Sequence, residues 1–304
     1  MGAGNLLAMA FDHLPRQSPI NPRADRYAAK ALSLSRAVAE NSRCVLDVAY
    51  GADPLQKLDL YLPDRLDVPC PVIVFLHGGG WTHGFKEWMG FMAPPIVAWP
   101  AVFISVAYRL APDHRYPAQL DDTLSALAWI QRNIREYGGD PNAIAVGGHS
   151  AGGHLASLAA LRTDLHAGHG IPLDAIKACL PVSSTFDFRF EKVAPGSGEE
   201  NILTRFLATP EQAYEASPIA YAATSTVPFL ISHGTDDLER VRTTAPPMVA
   251  ALKQSGALVD YLLLEGRDHF SVSLGAAQPD DPWVLRAAGW VRRTMGRPAT
   301  PDRG

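Results

Sequence analysis

The pentapeptide Gly148-His149-Ser150-Ala151-Gly152 holds a serine between two glycines, a residue pattern that can do nucleophilic chemistry. An apolar run, Ala143-Ile144-Ala145-Val146-Gly147, precedes it, and Gly153-His154-Leu155-Ala156-Ser157-Leu158-Ala159-Ala160 follows. The first reads as a buried strand and the second as a helix. Ser150 is therefore expected on a strand-to-helix turn, the setting of a G-x-S-x-G nucleophile elbow. Side chains at the flanking positions would collide with the strand and helix, which is why glycine stands there. The pattern is short and the chain contains 25 glycines, so its weight rests on partners elsewhere.

A serine hydroxyl is a poor nucleophile at neutral pH, so it needs a base, and its tetrahedral adduct needs hydrogen-bond donors. Upstream, the β-branched run 72–76 leads directly into His77-Gly78-Gly79-Gly80-Trp81. A central parallel strand followed by a glycine loop presents backbone N–H groups with no side chains in the way, which suits an oxyanion. Downstream, the strand pattern 227–232 ends in His233-Gly234-Thr235-Asp236-Asp237, and the strand pattern 259–264 runs into Glu265-Gly266-Arg267-Asp268-His269-Phe270. Nucleophile, acid and histidine thus follow in the order that belongs to the α/β-hydrolase fold. Taken singly, an aspartate in such a turn more often caps a helix, and most of the ten histidines are packing or surface residues. At this stage either Asp236 or Asp237 can serve as the acid.

Five motifs together carry a family resemblance. They are His77-Gly78-Gly79-Gly80-Trp81, Tyr108-Arg109-Leu110-Ala111-Pro112-Asp113-His114 with Tyr116-Pro117-Ala118, Gly148-His149-Ser150-Ala151-Gly152-Gly153, His233-Gly234-Thr235-Asp236-Asp237, and Asp268-His269-Phe270. Over residues 45–295 the chain resembles the hormone-sensitive-lipase-like and kynurenine-formamidase-like esterases of the α/β-hydrolase superfamily. The resemblance implies Ser150 as nucleophile, His269 as general base, and the amides of Gly79, Gly80 and Ala151 as the oxyanion hole. The family's His-Gly-x-x-Asp pattern implies Asp237 as the acid. The Leu238-Glu239-Arg240-Val241 that follows departs from the family's Leu-Val-Pro-like continuation and keeps Asp236 open as the alternative.

The elements that must position these residues alternate along the chain. Strand patterns occur at 45–50, 57–61, 72–76, 102–107, 143–147, 175–180, 227–232 and 259–264, the first two as an antiparallel start. Helices are expected at 119–136, after the elbow, at 241–254 and at 283–294, with Pro246-Pro247 kinking or delaying the third. The expectation is one α/β-hydrolase domain over 1–304, with a mostly parallel sheet and helices on both faces. Two segments fall outside the sheet and are expected as lid pieces. Residues 21–43 begin with a proline-started helix or two, and residues 183–226 mix Phe186, Phe188, Phe190, Phe206, Tyr214 and Tyr221 with a loose turn. Arg109 and Asp122 are expected to tie the scaffold; nothing in the sequence identifies a dedicated clamp for a substrate carboxylate, and Arg189, Arg205 and Arg240 are candidates only by charge and rough location.

Composition narrows the function classes. With 47% hydrophobic and 19% charged residues the chain is expected to be soluble and globular. A net charge of −4, with no basic cluster interleaved with aromatics, argues against nucleic-acid binding. Cys44, Cys70 and Cys179 form no C-x-x-C pair, so no disulfide framework, metal site or cofactor is expected. The apolar patch 6–11 lacks a preceding basic residue and is too short for a signal core, and no run approaches the roughly 20 residues that span a bilayer. These readings point to the cytoplasm, no membrane partner, and a monomer or homo-oligomer. The expected activity is hydrolysis of short-chain or aryl carboxylic esters. The alternatives are an amide hydrolase such as an arylformamidase acting on N-formylkynurenine, or a binding protein on the same fold without turnover.

Overall fold

A computed structural model describes residues 11–65 and 69–296. Eight strands form one sheet: β1 (Cys44–Ala49), β2 (Lys57–Tyr61), β3 (Cys70–Leu76), β4 (Val102–Val106), β5 (Gly139–His149), β6 (Ile176–Val182), β7 (Phe229–Gly234) and β8 (Val259–Leu264). Their order across the sheet is β1-β2-β4-β3-β5-β6-β7-β8. β1 and β2 pair antiparallel and β2 meets β4 antiparallel, whereas every pairing from β4 to β8 is parallel. Every residue of β3 and β4 is buried, which accounts for their continuous apolar character: both faces of a parallel sheet are covered by helices. The long helices are α1 (Pro22–Asn41), α2 (Ala118–Asn133), α3 (Ala151–Leu161), α4 (Glu239–Gln254) and α5 (Pro282–Met295). The sheet, between them, divides the core into two apolar clusters, one holding Leu155 and Met248 and the other Tyr27, Trp283 and Trp290. Among the described residues no helix is long and apolar enough to cross a bilayer.

Three helices refine the sequence expectation. The 21–40 segment is one helix, started by Asn21, whose side chain accepts hydrogen bonds from the amides of Arg23 and Ala24. α2 ends as an α-helix at Asn133, then tightens into a 3₁₀ turn over Ile134–Tyr137 that Gly138 closes at φ 81°. α4 begins at Glu239, earlier than Pro246-Pro247 suggested, and runs through both prolines. Both prolines lie on its solvent face, where the carbonyls they leave unpaired can meet water, while Ala245, Met248 and Val249 face the core.

A buried ionic cluster braces the antiparallel edge. Lys86 Nζ lies 2.9 Å from both Asp59 and Asp47 and contacts Glu87; Asp59, Lys86 and Glu87 are all buried. Asp47 sits at φ 59° in the β1 bulge, its amide donating to Asp59. Burial, partly offset by Lys86, pushes the Glu87 carboxyl up to about 7. The cluster anchors the chain just beyond the glycine loop to β2.

Candidate active site

The sheet brings Ser150, Asp237 and His269 together beyond the carboxyl ends of β5, β7 and β8. Ser150 follows β5 directly and stands before α3 at φ 55°, ψ −117°. Its amide donates to Val182 O at 2.8 Å, so the end of β6 holds the turn. The tightness has a steric measure: a Cβ on Gly152 would stand 2.2 Å from Leu76 O, so only glycine lets α3 approach the end of β3. A Cβ on Gly78 would lie 3.3 Å from Ser150 Cβ, so the glycine loop abuts the serine side chain.

His269 Nε2 is 2.9 Å from Ser150 Oγ, and His269 Nδ1 is 2.7 Å from Asp237 Oδ1. The acid is also bonded by the Leu238 amide at 2.7 Å and by the Ser183 hydroxyl at 2.6 Å, the latter on Oδ2. Burial opposes ionisation of Asp237, but the bonds from His269, Ser183 and Leu238 outweigh it and hold the carboxyl well below its usual range. Asp236 is exposed, and its amide donates to Arg267 O. Of the two adjacent carboxylates, only Asp237 is joined to His269.

Gly79 and Gly80 lie at φ 113° and 61° in a turn closed by the amides of Thr82 and His83, which both donate to Gly79 O. A Cβ on Gly79 would fall 2.1 Å from His83 O, so this position excludes a side chain. Ala151 is the first residue of α3, and its N–H belongs to the helical turn that lacks an intrahelical acceptor. These amides can stabilise an anion beside Ser150.

Several residues outside the motif reading shape the site. Ser183, at φ 54° just past β6, was invisible as a partner of the acid, because the contact joins positions 54 apart. Its one sequence signal is a polar residue at the carboxyl end of the strand beside the elbow strand, where such sheets place functional groups. His149 Nε2 donates to His269 O at 2.8 Å, so the residue before the serine holds the histidine loop. His154, one turn into α3, accepts from Trp81 Nε1–H at Nδ1 (3.2 Å), and its Nε2 donates to Ala216 O (2.7 Å). It links the glycine loop to the 183–226 segment. Burial drives both imidazoles down to about 3, and His77 to about 4, so all three are neutral.

The two segments outside the sheet are firmly attached. From α1, Tyr27 packs on His149 and Phe270 and hydrogen-bonds Ser273, and Arg23 pairs with Asp268. In 183–226, Phe186, Phe188 and Phe206 are fully buried core residues, Phe206 stacking on Trp81 at 4.4 Å, while Tyr214 is exposed. Arg109 and Asp122 are joined at 2.7 Å, with Asp122 buried, as a scaffold tie.

The BD-FAE family model matches residues 58–245. Esterase LipC of Mycobacterium tuberculosis is 33% identical over 245 residues, spanning 72% of this chain and 60% of that protein. A probable isoprenylcysteine alpha-carbonyl methylesterase of Arabidopsis thaliana, ICMEL1, is 27% identical, spanning 75% and 51%. The chain therefore matches about half to three-fifths of the length of these relatives. Among solved structures, the Pyrobaculum calidifontis esterase superposes with a TM-score of 0.74 at 22% identity, covering 95% of this chain and 97% of that one. The thermophilic carboxylesterase EstE1, from a metagenomic library, gives 0.71 at 23%, covering 90% and 98%. The fold is the α/β-hydrolase fold, and the chain belongs to the BD-FAE family.

Proposed function

We propose that this chain hydrolyses carboxylic esters with short-chain or aryl acyl groups through an acyl-enzyme. Ser150 is the nucleophile, His269 the general base and Asp237 the acid. The observation that carries this reading is the continuous hydrogen-bonded chain from Ser150 Oγ through the imidazole to Asp237. As Oγ attacks the ester carbon, its proton passes to His269 Nε2, and Asp237 holds the Nδ1–H tautomer and stabilises the imidazolium. The amides of Gly79, Gly80 and Ala151 receive the oxyanion. His269 returns the proton to the leaving alkoxide or phenoxide, then activates water to release the acid. No step calls for a cofactor.

The chain is one domain in which 21–43 and 183–226 serve as lid pieces, a role supported by their ties to the site through Tyr27 and His154 respectively. The substrate is a small molecule, the compartment the cytoplasm. The unbroken Ser150–His269–Asp237 chain favours turnover over a binding-only role. Amide hydrolysis would further require His269 to protonate a departing amine, which demands tighter placement of the leaving group.

Ser150→Ala should abolish turnover of 4-nitrophenyl acetate while leaving the circular dichroism spectrum unchanged, and a serine-directed phosphonate should label wild type once, at Ser150. More than about 1% residual activity in the variant, against the 10³–10⁶-fold losses typical of triad removal, would overturn the assignment.

A further inference from the structure

A cavity of about 330 Å³ opens beside the glycine loop. Thr82 and His83 form one wall, and the His83 amide donates to Gly79 O at 3.0 Å, so the cavity starts one hydrogen bond from the proposed oxyanion hole. Leu55, Phe85, Leu110 and Ala111 give it an apolar lining, and the volume lies in the range of small-molecule sites. Arg205 is the sole full cation in the lining and Asp113 the sole carboxylate; among the described residues the two form no ion pair.

Arg189, Arg205 and Arg240 are candidates for a substrate carboxylate only by charge and rough location in the sequence, and the structure separates them. Arg189 is bound by Asp187 at 2.7 Å and lies over the Tyr214 ring. Arg240 faces Glu199 at 3.6 Å. Arg205 alone lines the cavity and, among the described residues, faces no carboxylate at ion-pair distance. It is exposed, on the π-helical turn Ile202–Phe206 whose Phe206 stacks on Trp81 of the glycine loop, so its backbone is held against the site. Its charge reaches His83, whose imidazole is lowered by burial and then by Arg205. His83 is also hydrogen-bonded to Ser18 and Thr82, and His114 is a second imidazole in the lining. Both ring nitrogens of His83 are engaged by those hydroxyls, which leaves Arg205 and the His114 imidazole as donors to an anion, whereas Asp113 alone would receive a cation.

We propose that this cavity is a subsite for the part of the substrate remote from the scissile ester, and that Arg205 selects substrates whose remote part carries a carboxylate. This rests on the ester-hydrolase reading and names the substrate class. The apolar lining holds the spacer and the guanidinium meets the charge. The charge sits either on the acyl side, as in a half-ester of a dicarboxylic acid, or on the leaving-group side, as in an ester of a hydroxy acid.

The test compares kcat/KM for two charged and neutral pairs. On the acyl side the pair is mono-4-nitrophenyl adipate and 4-nitrophenyl hexanoate; on the leaving-group side it is 4-acetoxybenzoate and 4-acetoxybenzamide. In one pair the charged-to-neutral ratio should fall about tenfold in Arg205→Gln, the scale of one charge-assisted contact. The ratio should rise in Asp113→Asn, and the wild-type preference should weaken in 0.5 M salt, where exposed charges are screened. Neutral-ester turnover by Arg205→Gln reports that the variant is folded. Ratios unchanged in both pairs while the neutral esters are hydrolysed would overturn the subsite alone. Failure of wild type to hydrolyse any of the four esters would overturn the esterase reading, and the subsite with it.

Discussion

Removing the Ser183 hydroxyl should weaken catalysis without touching any of the three groups that react. Its Oγ lies 2.6 Å from Asp237 Oδ2, inside the protein, with the Ser183 amide fixed to Ser232 O at 2.8 Å. Without it, Oδ2 keeps only the long contact from the Gly234 amide at 3.4 Å. A hydrogen bond to a charged group is worth about 1.5–3 kcal/mol. If that support is felt mainly when His269 becomes an imidazolium, kcat falls about ten- to a hundredfold, because each ~1.4 kcal/mol is a decade. KM should stay within about twofold, since the hydroxyl faces the acid. Two variants separate the hydroxyl from the backbone. Ser183→Ala keeps a side chain at φ 54°, whereas Ser183→Gly removes it from a conformation that glycine adopts freely. Both should lose the same factor in kcat on 4-nitrophenyl acetate, with urea melts showing any difference in stability between them. Wild-type kcat in either folded variant would refute the reasoning, and a loss in KM alone would move Ser183 from the acid to substrate binding.

Two further outcomes are expected. Asp237→Asn should cost about 10⁴ in kcat by presenting the wrong imidazole tautomer to Ser150, and Asp236→Asn, at an exposed position, should cost less than about threefold; kinetics of the pair decide, and the reverse ranking would move the acid one residue upstream. Folding stability should drop on acidification, because His77, His149 and His154 stay neutral when folded, at about 4, 3 and 3, yet each takes a proton near pH 6.5 when unfolded. Their contribution is complete above about pH 6.5 and is lost as pH falls toward 4, at about 1.4 kcal/mol per unit for each. Glu87, raised to about 7, gains a proton in the folded state over the same window and offsets rather more than one of the three, leaving a net loss of about 2 kcal/mol between pH 7.5 and 5.5. Urea unfolding at the two pH values measures it, and equal or greater stability at pH 5.5 would contradict it.

What could be read without the structure was whatever depends on near neighbours in the chain. Apolar runs bounded by glycine gave away β3, β5 and β7, because a strand buried on both faces needs continuous apolar residues, and β8, half-buried at the sheet edge, by its apolar run before Glu265-Gly266. The elbow was legible because Gly148 and Gly152 answer a steric demand within five residues. The order of Ser150, the acidic turn and His269 was legible because each follows its own strand. Long-range pairing lay outside that reach. Adjacent aspartates look alike in sequence, yet one is buried against Ser183 and His269 while the other faces solvent, a choice made by how β6 and β7 pack side by side. Pro246-Pro247 read as a kink or a late start because propensity is local, and the tertiary structure tolerated them by turning them to water. That Phe186, Phe188 and Phe206 of 183–226 are buried in the core while Tyr214 is exposed could not be read from their types alone. Three arginines of equal charge were separated by which of them already had a carboxylate beside it. In each instance the deciding quantity is burial or a partner supplied from dozens of residues away, which only the folded chain brings into contact.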